Sequence, residues 1–123
     1  MSEHPNAAVV RQAMEAVDAG DLERAASLVA EDVVWHEIGR AEPRRGVEEL
    51  RASMGEVDYT IDGQSHDALA SDDHVVLLID ATATRAGQTL RYQVAEVYHV
   101  KDGKITERWA MSDDTARIAE FFA

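Results

Sequence analysis

The sequence predicts a single α+β domain, and three observations carry that expectation. Apolar residues recur at helical spacing in the first part of the chain and again after Gly46, whereas from Tyr59 onward strand-like runs take over. The segments "SDDH", "AGQ" and "KDGK" are turn signals that cut the second half into the long strands of an antiparallel meander. A chain of 123 residues holds one sizeable core and not two, so residues 1–123 form one domain.

The elements follow in order. From Ala7 to Val17, the larger apolar residues Val10, Met14 and Val17 mark one face of a helix, which "DAGD" ends at Gly20. Asp21 is placed to cap a second helix that turns Leu22, Ala25, Ala26 and Val29 inward. "DVVWHEIG" is a short strand, and Gly46 opens a third helix with Val47, Leu50 and Met54 on one side, ending at Gly55. Tyr59 to Ala70 is a weak, polar strand. "VVLLIDATATR" has so many adjacent apolar residues that part of it should be covered on both faces. Thr89 to Val100 and "KITERWAMS" complete the meander, and Asp113 is placed to cap a last helix with Ile118 and Phe122 on its apolar side. No internal repeat or low-complexity linker is present.

Composition excludes several function classes. Without cysteine there is no disulfide, thiolate nucleophile or Cys-ligated metal. Twenty-four acids against twelve bases give a net charge of −12, a field that repels phosphate backbones and anionic lipid, so neither nucleic acid nor membrane is an expected partner. The N-terminus "MSEHPNAAVV" lacks the layout of a signal peptide, and no apolar run is long enough to span a bilayer; the expected location is cytoplasmic. His4, His36, His66, His74 and His99 show no metal-ligand spacing, so no metal site is expected.

One acid stands out. Between Leu90 and Val100, one strand face carries Leu90, Tyr92, Val94, Glu96, Tyr98 and Val100. An ionised carboxylate in that apolar row costs several kcal/mol unless it is paired or becomes protonated. Glu96 is therefore either matched by an arginine or kept at a sheet edge, or it is a perturbed group of the kind acid–base catalysis uses.

The order of elements, with "AGDLERAASLVAEDVVW", "GRAEPRRG" and "VYHVKDGKI", resembles the ketosteroid-isomerase-like, SnoaL-like (nuclear transport factor 2-like) superfamily. The resemblance implies a cone of curved antiparallel sheet wrapped around N-terminal helices, enclosing an apolar pocket. It also implies a homodimer, and a cofactor-independent isomerase, cyclase or dehydratase-like enzyme acting on a small apolar carbonyl or polyketide-like molecule. A binding protein without catalysis, or an interaction module, is the alternative. Counting back from Gly39 puts His36 where the isomerases carry their catalytic base, with Glu37 one place away, and their protonated oxyanion-binding acid falls on Glu96. That role is the one described for ketosteroid isomerase itself. Two positions depart from the pattern: the isomerases' oxyanion tyrosine is Ala13 here, and the acid that SnoaL-type cyclases carry after the last tryptophan is Ala110.

On this reading His36, alternating with Val34 and Ile38, faces inward as the base, and Glu96 donates to the developing oxyanion. Met14, Trp35, Tyr59, Tyr92, Tyr98, Arg108 and Ala110 line the pocket. The facing of the last strand depends on "KDGK": a two-residue turn sets Trp109 opposite Glu96, and a longer, bulged one sets Arg108 and Ala110 inward. The resemblance favours the bulge, in which case Arg108 neutralises Glu96. Asp80 is either a second pocket acid or solvent-facing. Arg40, Arg44 and Arg45 form a rim, able to steer an anion.

Overall fold

A computed structural model describes residues 3–55 and 57–123; Met1, Ser2 and Glu56 lie outside the described residues. Helix α1 (Pro5–Asp18) starts on a proline, which has no N–H to leave unpaired, and the His4 side chain accepts from the Asn6 N–H at 3.1 Å. Val10, Ala13 and Ala16 are its buried face. Asp21 caps α2 (Leu22–Ser27) by accepting from the Arg24 N–H. Strand β1 (Val29–Trp35) and the short β2 (Arg44–Arg45) precede α3 (Val47–Ser53), whose N-cap is Gly46 with φ 88°. Then come β3 (Tyr59–Ala70), β4 (His74–Arg85), β5 (Gln88–Lys101), β6 (Lys104–Ser112) and α4 (Thr115–Phe122). The α4 cap is Asp114, one residue beyond the expected Asp113.

The strands form one curved, unclosed six-stranded sheet in the order β2-β1-β6-β5-β4-β3. Every pairing is antiparallel except β1 with β6, which run parallel because the meander returns its last strand beside the first. Helices α1 to α3 fill the concave side. Val10 and Ala13 pack there against Val33, Trp35, Val75, Tyr98 and Ile105. Because the helices cover one face only, Val75 and Leu77 are buried while Val76 and Leu78 stay half-buried. The expectation that this strand is covered on both sides is corrected by that arrangement. No helix among the described residues is long and apolar enough to cross a membrane.

Two hairpins set the strand facing. Ala86–Gly87 and Asp102–Gly103 all have positive φ, the two-residue turn that suits the right-handed twist of a β-hairpin. After the second turn Val100 pairs with Ile105 but His99 pairs with Glu107, so Thr106 is an extra residue in β6. That bulge reverses the facing of everything beyond it.

Candidate functional site

The bulge brings Arg108 opposite Tyr98 and Ala110 opposite Glu96, all on the concave face, and sends Trp109 to the other side. The turn is thus the two-residue kind, yet Arg108 and Ala110 point inward, because the extra residue lies in the strand rather than in the turn. Glu96 and Arg108 meet through Oε2 and Nη2 at 2.5 Å, with side chains only 13% and 12% exposed. The fully buried Tyr98 donates its hydroxyl to the second carboxylate oxygen of Glu96 at 2.6 Å, with the Met14 sulfur 3.7 Å away. Arg108 also donates from Nη1 to the carbonyl of His36 at 2.9 Å, and its guanidinium lies 4.9 Å from the centre of the Trp35 ring. Its Nε is buried without a partner among the described residues.

Charge and burial shift Arg108 and the two neighbouring tyrosines. Burial works against the charged guanidinium, but Glu96 and Tyr98 together outweigh it, so Arg108 holds its proton more firmly than a free arginine. Burial first, and then the charge of Glu96, push the Tyr98 hydroxyl well above the usual tyrosine value. The same two causes raise Tyr92. Glu96 pairs with Arg108, and each of its oxygens receives one hydrogen bond.

The pair lies on the wall of a cavity of about 560 Å³ between α1 and strands β3 to β5. Met14, Ile79, Ala81, Tyr92 and Val94 are part of its apolar lining, and Glu3, Arg11, Glu15 and Asp18 stand at its mouth. A second, apolar void of about 40 Å³ lies beneath α1, α2 and α3 beside Trp35, too small for more than a water-sized guest. At the α4 end, Phe122 packs against Tyr59 with ring centroids 4.9 Å apart and against Tyr92 at 6.4 Å.

The placement of His36 corrects the inward facing expected for it. Trp35 takes the buried position, edge-on to Tyr98 at 6.1 Å, and His36 emerges on the convex face. There its Nε2 lies 2.8 Å from Glu107, and its ring stacks on Trp109 at 5.5 Å. His99 meets the same indole edge at 4.8 Å and His74 beyond it at 4.3 Å. The base-and-acid pair across the cone is thus not assembled: Glu96 is inside and His36 outside. Glu37 binds Arg44 at 2.8 Å, near Tyr59, and does not line the cavity. Asp80 is convex as well, held by His66 and Gln93.

Of the expected lining, Met14, Tyr92 and Arg108 border the cavity. Trp35 and Tyr98 support it from behind, Tyr59 packs under α4, and Ala110 is the neighbour of Glu96. The mouth residues and the Leu77–Ile79–Ala81 face of β4 were not anticipated. The latter was legible as the alternate row to Val76, Leu78 and Asp80.

The family model of the SnoaL-like domain matches residues 10–108. Bal32a, from a soil-derived mobile gene cassette, is 28% identical, with TM-score 0.86 and 97% of each chain covered. An NTF2-like protein of unknown function from Burkholderia pseudomallei shares the fold at TM-score 0.85 and 19% identity, covering 98% of this chain and 99% of that one. An LEH-like epoxide hydrolase from M. tuberculosis does so at 0.78 and 17%, covering 89% and 83%. No curated protein matches the sequence. With the cone, its helices and the family match in agreement, the chain belongs to the SnoaL-like domain family.

Proposed function

We propose that this SnoaL-like domain binds a small, largely apolar molecule inside the cone, with the Glu96–Arg108 pair as the polar end of the site. The observation that supports this reading is the coincidence of a cavity of about 560 Å³ with a buried ion pair on its wall. Cavities of that order hold ligands, usually through apolar walls and a few convergent polar groups. A buried ion pair adds less stability than apolar side chains filling the same space. Its position at a cavity wall therefore fits recognition better than folding.

The same end of the cavity favours a second reading, acid–base catalysis of the isomerase, cyclase or dehydratase-like kind. Glu96, as an ionised acceptor, would take a proton from carbon next to a carbonyl. Tyr92, which burial keeps protonated, would donate to the oxygen that gains charge. This differs from the mechanism implied by the isomerase resemblance, in which Glu96 is the protonated donor, and it leaves His36 without a part.

Glu96→Gln separates the two readings once a ligand is found by thermal-shift screening of neutral carbonyl compounds. For a binding protein the change alters affinity and there is no turnover to lose. For an enzyme, turnover falls by two orders of magnitude or more, roughly the worth of a general base, with affinity nearly kept.

A further inference from the structure

The proposed binding site also carries a charge signature, and from it we infer that the cavity selects against anions: its ligand is an uncharged or amine-bearing apolar molecule, not a carboxylate, sulfonate, phosphate or acyl-coenzyme A. The inference rests on the cone being the binding site.

Two arginines line the cavity, and both are already ion-paired with carboxylates. Arg108 spends Nη2 on Glu96 and Nη1 on the His36 carbonyl, and its Nε is buried. Arg11 spends Nε and Nη2 on Glu3 and Nη1 on Glu15, at 2.9 to 3.1 Å. Among the described lining residues the remaining charges are acids. At the mouth, Glu3, Glu15 and Asp18 face one arginine, and inside, Glu96 and Arg108 cancel. An entering anion thus meets excess negative charge at the rim and no free cation at the floor, within a chain of net charge −12. What the floor still offers is acceptor capacity on the Glu96 carboxylate, since each oxygen has received only one hydrogen bond, and the Tyr92 side chain. A ligand hydroxyl or ammonium satisfies the carboxylate, whereas a ligand carboxylate is repelled by it. The Arg40, Arg44 and Arg45 group does not reverse this: none of the three borders the cavity, and Arg44 is bound to Glu37.

The test uses the neutral fluorescent probe N-phenyl-1-naphthylamine and its displacement by three compounds sharing one ring system: 1-naphthaleneethanol, 2-(1-naphthyl)ethylamine and 1-naphthaleneacetate. Val94→Trp, which fills the cavity, and Ala81→Trp, a second filling variant in case the first does not fold, report where the probe binds. The expected result is that the probe binds and either filling variant abolishes binding. The alcohol and the amine should then displace it at concentrations at least tenfold below the acid, with the gap between amine and acid shrinking as salt is added. Glu3→Gln with Glu15→Gln releases Arg11 and should strengthen binding of the acid threefold or more. If the acid competes within threefold of the amine while the filling variants still abolish probe binding, the charge selection is wrong and the cavity reading survives. If the probe fails to bind, or binds equally well to a folded filling variant, the cavity reading falls and the selection inference with it.

Discussion

The two faces of the sheet carry similar residue types in different physical settings. On the concave side an acid, an arginine, a tyrosine and a tryptophan (Glu96, Arg108, Tyr98, Trp35) are withdrawn from water and bind one another. On the convex side an acid, two histidines and a tryptophan (Glu107, His36, His99, Trp109) make an ion pair and a stack of rings, with the His36 and Glu107 side chains 36% and 29% exposed. The closest polar contacts differ little, 2.5 Å inside and 2.8 Å outside, so length does not set their worth. Desolvation does: removing one member of the inner group strands a buried charge, while the outer group leaves its partner in reach of water.

That contrast is broken or sharpened by substitution. The largest effect is expected for Arg108→Met, which leaves Glu96 buried and unpaired; urea unfolding should show a loss of about 3–5 kcal/mol. Combining it with Glu96→Gln removes both charges and should recover most of that loss. If the double variant is as unstable as Arg108→Met alone, the pairing account of the inner site is wrong.

Tyr98→Phe comes next, at about 1–3 kcal/mol, because Glu96 loses a hydrogen-bond donor inside the protein. It also carries a pH signature. The hydroxyl is raised by burial and by Glu96, so in the folded chain it keeps its proton at pH values where the unfolded chain has lost it. Its stabilising contribution is complete below the ordinary tyrosine value of about 10 and declines as the pH rises above it. The wild-type unfolding free energy should therefore fall more steeply in alkali than that of Tyr98→Phe.

The smallest effect belongs to the convex face. His36→Ala and Glu107→Gln should each change stability by no more than about 1 kcal/mol, as exposed pairs do. A larger loss, measured in the same urea titration, would show that the outer group is as coupled as the inner one and erase the distinction.

The same contrast explains which parts of the molecule could be read from the sequence. In β5 the alternation is unbroken from Leu90 to Val100, so Glu96 was identifiable as the acid among apolar neighbours. In β1, Val33, Val34 and Trp35 are apolar in both registers, so periodicity could not choose a face. The choice was made by the bulk of Trp35 fitting against Tyr98 and Arg108, a contact between elements some sixty residues or more apart. His36 followed its neighbour outward. Trp109 and Arg108 exchanged faces because of Thr106, an extra residue that counting across the "KDGK" turn cannot locate. The α4 cap moved by one because Asp113 and Asp114 are chemically equivalent starts, and only the helix position picks Asp114.

The most direct test of the account is methyl-resolved NMR of the protein titrated with N-phenyl-1-naphthylamine. Saturable shifts are expected at Met14, Ile79 and Val94, which line the cavity, with Val97, Leu78 and Met111 on the convex face unmoved. Shifts confined to Val97, Leu78 and the 58% exposed Met111 would place the ligand on the outside of the sheet and contradict it.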